Sequence, residues 1–197
     1  MEIEKWMTIL ERYRSYGVNC MRFHSHCPPD AAFAAADQLG MLMQPELSHW
    51  NPKDALDSME SFEYYKTELR EILLSLANHP SFVMLTLGNE LWPTTESGKR
   101  HMNEMLDLAH ETDSTRMYAN VSNVFYGERG CDAISDFYTS QGYYRGKIRG
   151  SCAGMPETAK LEQENEYTEK YTVKGFINNQ YPSTMTNYDK VMEELRR

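Results

Sequence analysis

His79-Pro80-Ser81-Phe82-Val83-Met84-Leu85-Thr86-Leu87-Gly88-Asn89-Glu90 is the stretch whose reading decides the fold. Residues 82–87 are apolar almost without interruption, and strands covered on both faces of a parallel sheet have this pattern. Asn78-His79-Pro80 stops the preceding helix, because the residue before a proline is pushed out of helical geometry. Gly88 ends the apolar run and leaves Asn89 and Glu90 at the C-terminal end of the strand.

Working outward, the same rhythm recurs on both sides. Ile3, Trp6, Leu10 and Tyr13 stand at helical spacing, so residues 3–16 read as an amphipathic helix that Gly17 terminates. Residues 18–23 read as a short buried strand. Pro28-Pro29-Asp30 opens a second helix that runs through an alanine-rich stretch to Leu39, and Gly40 closes it. Residues 41–47 form a second strand, followed by a polar loop with Trp50 and Pro52. Phe62, Tyr65, Leu69, Ile72 and Leu76 share one face of the helix that precedes the quoted strand. Downstream, a helix is expected over 99–111 and a strand over 117–121. Residues 123–172, rich in Gly, Tyr, Ser and Glu, read as an elaborated loop. A short strand over 176–178 and a last helix marked by Tyr188, Val191, Met192 and Leu195 complete the chain.

Helix–strand alternation with short connections implies a parallel α/β sheet with right-handed crossovers. Alternation alone leaves a closed barrel and an open doubly wound sheet both standing. No Gly-x-Gly-x-x-Gly follows the first strand and no P-loop occurs, which weakens the nucleotide-binding version. A complete (β/α)8 barrel needs about 250 residues, whereas this chain has 197. The expectation is therefore one incomplete domain over 1–197: α/β, a partial TIM barrel with parallel strands.

Composition narrows the function. A net charge of −9 argues against a nucleic-acid partner, since phosphate contacts need a basic surface. No apolar run is long enough for a membrane span, and Met1 to Trp6 lacks the regions of a signal peptide. Cys20, Cys27, Cys131 and Cys152 form no Cys-x-x-Cys pair and read as buried free thiols. The 13 methionines, among them Met41, Met43, Met84, Met102 and Met105, read as core filler rather than cofactor ligands. No cofactor is expected.

In parallel α/β folds, functional residues gather at the C-terminal ends of strands. That rule selects Arg22, His24 and His26 after the first strand, and Glu46, His49 and Trp50 after the second. It selects Asn89, Glu90 and Trp92 after the third, Asn120 after the fourth, and Asn178, Asn179, Gln180 and Tyr181 after the fifth. Amides, carboxylates and aromatic rings on one rim suit a carbohydrate, whose hydroxyls take paired hydrogen bonds and whose ring faces stack on Trp and Tyr. Glu90 stands out. Apolar enclosure favours the protonated form of a carboxylic acid, which suits a general acid beside Trp92.

The stretch from His79 to Glu90 resembles the acid/base strand of glycoside hydrolase family 2. Gly17-Val18-Asn19-Cys20-Met21-Arg22 resembles that family's second barrel strand, and Phe33, Asp37 and Gly40 fall where the family has Phe, Asp and Gly before its third. The resemblance implies a retaining glycosidase acting on β-linked sugars such as galactosides, glucuronides and mannosides. Glu90 would be its acid/base, and Asn89 would bond the sugar beside the scissile linkage. Arg22, His24, His26, Glu46, Trp92, Asn120 and Gln180 are expected to contribute to substrate binding. The family shows an Arg, two residues and a His before its Pro; here Arg22-Phe23-His24-Ser25-His26-Cys27-Pro28 has one residue more, so His24 and His26 both compete for that place.

Retaining hydrolysis needs a second carboxylate about 5–5.5 Å from the first. The family's nucleophile is a Glu ending the seventh strand, and the strands here correspond to the second to sixth, so the nucleophile is expected beyond Arg197. By itself the chain is then expected to be inactive and to self-associate through open barrel edges. Two alternatives stand beside this reading. One is a non-catalytic carbohydrate-binding piece. The other is a metal-dependent barrel hydrolase built on His24 and His26, with Cys27, Glu46 and His49 nearby.

Overall fold

The computed structural model describes residues 2–122 and 134–137. The elaborated loop over 123–172 (apart from 134–137), the strand over 176–178, the last helix, Gln180, Cys131 and Cys152 lie outside the described residues. Two compact units divide the chain, Met1–Val121 and Ser122–Arg197; of the second, Ile134 to Phe137 has no regular structure.

The first unit alternates helix and strand four times: α1 (Ile3–Ser15), β1 (Cys20–Arg22), α2 (Asp30–Leu39), β2 (Leu42–Gln44), α3 (Met59–Ser75), β3 (Met84–Thr86), α4 (Glu96–Thr112) and β4 (Met117–Ala119). β1 pairs with β2 in parallel, with Met21 opposite Met43, and β3 pairs with β4 in parallel, with Leu85 opposite Tyr118. Parallel bridges Met43–Phe82, Glu46–Thr86 and Trp50–Asn89 join the second strand segment to the third. Every strand thus lies beside the one before it in sequence. An open doubly wound sheet reverses strand order at a switch point, whereas a barrel winds in one direction. The order β1-β2-β3-β4 is that of a barrel wall.

The strands are shorter than the apolar runs that announced them. Pro45 has no N–H to give to a ladder, so β2 ends at Gln44 and pairing resumes only at the Glu46–Thr86 bridge. Residues 82–87 are buried except for half-buried Val83, yet only Met84–Thr86 keeps regular pairing. α4 begins three residues before the expected start. Thr95 caps it by accepting from the Gly98 N–H at 3.0 Å, and a Cβ on Gly98 would lie 2.0 Å from Asp57 Oδ1. The glycine is there for close approach, not to break the helix.

α2 lies close to the sheet because its inner face is Ala32, Phe33, Ala35 and Ala36, all fully buried. Gly40 ends it in the left-handed conformation at φ 66°. Under the N-terminal end of β3, His79 is gripped by Asp37 at 2.7 Å and Asp30 at 2.9 Å, while the Ser81 N–H donates to Asp37 at 2.9 Å. Desolvation works against both charges, but these bonds outweigh it: the His79 pKa is raised and the Asp37 pKa lowered. The Arg116 guanidinium closes the same end of β4, stacking 4.2 Å from the Phe82 ring centroid and donating to the Phe82 and Ala77 carbonyls. Met41, Met43, Met84, Met102 and Met105 are all in the core. Cys20 and Cys27 are free, and desolvation pushes both thiols up to about 12, with Glu68 adding to the effect at Cys27. No helix among the described residues is long and apolar enough to cross a membrane.

Candidate active site

Arg22, the last residue of β1, reaches across two neighbouring strand ends. Its Nε donates to Glu46 Oε1 at 2.6 Å and its Nη2 to Asn89 Oδ1 at 2.6 Å. The second Glu46 oxygen accepts the Ser25 N–H at 2.7 Å. The Glu46 side chain is 0% exposed and the Arg22 side chain 7%. Two such charges survive burial only when paired and hydrogen-bonded, and here each carboxylate oxygen has a donor. Deeper in the wall, Gln44 Nε2 donates to Thr86 Oγ1 at 2.8 Å, linking β2 and β3 side by side.

A backbone carbonyl organises the next layer. His49 O accepts the Asn89 N–H at 3.0 Å and the Ser25 hydroxyl at 3.1 Å. Gly88 makes this possible: at φ 155° it passes so near that a Cβ would sit 2.3 Å from His49 O. The His49 ring stacks on Tyr65 at 3.9 Å between centroids. Burial drives its pKa down to about 4, so it is a neutral imidazole.

Glu90 sits above this layer, half-buried, with φ 53°. The Trp50 indole N–H donates to its Oε2 at 2.7 Å. Trp50 is 57% exposed and Trp92, two residues after Glu90, is 44% exposed. The loops carrying them are fastened together: the Trp92 N–H donates to Asn51 O at 3.0 Å, and Asp57 accepts from the N–H and hydroxyl groups of both Thr94 and Thr95. Burial opposes ionisation of Asp57, but those donors outweigh it and lower its pKa.

The structure therefore brings Arg22, Glu46, Asn89 and Glu90 to one rim, with Trp92 beside them. Asn120 directly follows β4 and is wholly buried. His24 and His26 are exposed, and both Glu46 oxygens already have donors in Arg22 and Ser25. Among the described residues no three His, Cys, Asp or Glu side chains gather to hold a metal ion, so the metal alternative finds no ligand set there. His49 is held by Tyr65, and Glu46 by its buried arginine. Sequence reasoning missed Ser25, whose left-handed backbone at φ 49° turns both its N–H and its hydroxyl into the network. It also missed the use of His49 through its carbonyl rather than its ring. Neither carries a signal in residue type.

The family described as glycosyl hydrolases family 2, TIM barrel domain, matches residues 5–196. The chain belongs to glycoside hydrolase family 2. A Formosa agariphila protein bearing a provisional β-glucuronidase name is 27% identical over 194 residues, covering 94% of this chain. The chain spans 23% of that relative's length. Among solved structures, the Parabacteroides merdae β-glucuronidase superposes with a TM-score of 0.64 at 24% identity, over 87% of this chain and 21% of that one. A Bacteroides fragilis structure with a provisional β-galactosidase name gives 0.66 at 21% identity, over 85% of this chain and 24% of its own. These likenesses carry the fold, and they agree with the one-way strand order. The family 2 resemblance read from the stretches ending at Arg22 and Glu90 holds.

Proposed function

We propose that this chain forms the acid/base side of the active site of a retaining glycosidase for β-linked sugars. The names of its relatives favour β-glucuronides and β-galactosides as substrates. The observation that carries the reading is Glu90 itself. It is a half-buried carboxyl at a strand end that accepts the N–H of an exposed indole, Trp50, next to the Arg22–Glu46–Asn89 hydrogen bonds. In this reading Glu90 protonates the leaving oxygen in the first step and deprotonates the incoming water in the second. Asn89, held by Arg22, hydrogen-bonds the sugar beside the scissile bond. Trp92 stacks on a ring face.

The reaction needs a second carboxylate as nucleophile. Glu46 is a poor candidate, because both its oxygens are engaged by Arg22 and Ser25 beneath the rim. The nucleophile is assigned to a strand outside the described residues. The test uses an enzyme of family length that carries this chain. There Glu90→Gln should lower kcat/KM on an alkyl β-glucuronide by about 10²–10⁴-fold, and much less on a dinitrophenyl β-glucuronide, whose leaving group needs little protonation. Equal losses on both substrates would remove Glu90 from the acid/base role.

A further inference from the structure

The hydrogen bond from Trp50 to Glu90 is made by two residues whose backbones are locked in register. On one side of the pair, the Asn89 N–H donates to His49 O at 3.0 Å; on the other, the Trp92 N–H donates to Asn51 O at 3.0 Å. Trp50 itself bridges Asn89 in parallel register. The indole is therefore delivered beside the carboxyl by the same backbone pairing that extends β2 along β3, not by a chance rotamer on a loop. Glu90 leaves the strand at φ 53°, and the indole N–H meets its Oε2 at 2.7 Å.

Indole Nε1–H is a donor only and cannot accept a proton. The carboxyl oxygen it touches must act as acceptor in both protonation states of the acid. From this we propose that Trp50 is the positioning residue of Glu90: it pins Oε2, so that Oε1 is the oxygen that gives and takes the proton. In glycosylation the Oε1–H proton passes to the glycosidic oxygen as the glycosidic C–O bond breaks and the nucleophile carboxylate bonds the anomeric carbon, releasing the leaving alcohol. In deglycosylation Oε1 takes a proton from water as the water oxygen bonds the anomeric carbon and the glycosyl–enzyme ester bond breaks, freeing the nucleophile carboxylate. Fixing one oxygen also removes rotamer freedom that a long carboxylate side chain otherwise loses during the reaction. The inference rests on the acid/base reading of Glu90, and the experiment separates the two.

The first readout needs no activity. Three tryptophans, Trp6, Trp50 and Trp92, give three indole N–H resonances, which Trp→Phe variants assign. Glu90→Gln should move the Trp50 resonance most of the three, because a charge-assisted bond is replaced by a weaker neutral one; an unmoved Trp50 resonance overturns the proposal. The second readout is kinetic, in the family-length enzyme. Trp50→Phe keeps an aromatic ring and loses the N–H. It should lower kcat on an alkyl β-glucuronide by about 10-fold or more, with KM little changed and a dinitrophenyl glycoside much less affected. In a Glu90→Gln background it should cost nothing further. A rise in KM on all substrates would make Trp50 a stacking platform instead and would overturn the positioning role, as would losses that multiply in the double variant. If Glu90→Gln itself shows no leaving-group dependence, the acid/base reading fails. If it does and Trp50→Phe does not, only the positioning role fails. Should Trp50→Phe not fold, the resonance in Glu90→Gln still decides, with Trp6→Phe and Trp92→Phe supplying the assignment.

Discussion

Replacing Arg22 with methionine would keep most of the side-chain volume at the end of β1 and remove its charge. Glu46 would then be a carboxylate with a fully buried side chain left with the Ser25 N–H as its donor among the described residues, and Asn89 Oδ1 would lose its guanidinium donor. Breaking a buried ion pair by deleting one partner costs roughly 3–5 kcal/mol, because the survivor keeps its desolvation penalty without compensation. That is a large part of the roughly 5–15 kcal/mol that holds an ordinary domain together. With a urea m-value of about 2 kcal/mol/M, the midpoint should fall by about 1.5–2.5 M. Arg22→Met/Glu46→Leu removes both charges, and apolar replacements of buried pairs are often nearly neutral. The double variant should therefore recover more than half of the loss. Urea unfolding followed by tryptophan fluorescence and by far-UV circular dichroism measures all three proteins. A shift below about 0.5 M for Arg22→Met, or a double variant no better than the single, would mean that Glu46 finds other compensation and that the arginine is no clamp.

Two further outcomes test neighbouring parts of the same site. Gly88→Ala would place a Cβ 2.3 Å from His49 O, so it should destabilise by about 2–4 kcal/mol through overpacking and loss of the two bonds that carbonyl accepts; an unchanged melting curve would refute the close approach. His49 has a folded pKa of about 4 against an ordinary 6.5. Its contribution is fully present above pH 6.5 and is lost as pH falls towards 4, up to about 3 kcal/mol. His49→Phe should flatten stability over that window in a pH series of urea titrations, and an undiminished slope would show that other groups carry it.

How much of this was legible follows from what each signal measures. Apolar runs report burial, and they placed all four described strands correctly. They do not report ladder hydrogen bonds, so they overstated strand length wherever a proline or a bend kept a residue buried but unpaired. Arg22, Glu46, Asn89 and Glu90 were legible because the strand-end rule depends only on where a buried run stops. His24 and His26 obeyed the same rule and still came out exposed. A residue count fixes distance from the strand end but not the direction in which a loop turns. That direction is set at Ser25, a serine in left-handed geometry that nothing in its residue type foretells.

Among the described residues, the non-glycine positions with positive φ are Ser25, Leu56 and Glu90, and two of them belong to the site. Each such conformation costs roughly 1–3 kcal/mol and persists only where its surroundings over-determine it. At Ser25 the surroundings are Glu46 and the His49 carbonyl, which take its N–H and its hydroxyl. At Glu90 they are the backbone bonds on either side and the Trp50 indole. Both strained residues therefore depend on the segment 46–51 that follows β2. The two carboxylates at adjacent strand ends divide the work accordingly. Glu46 neutralises Arg22 inside the wall and fixes where the rim turns, while Glu90 is lifted by that turn to the surface, where an indole donor meets one of its oxygens. Exchanging their roles would require an ion pair at the rim and an unpaired acid in the wall. The first is worth little in water and the second is costly in the interior, so the division follows from where each strand ends.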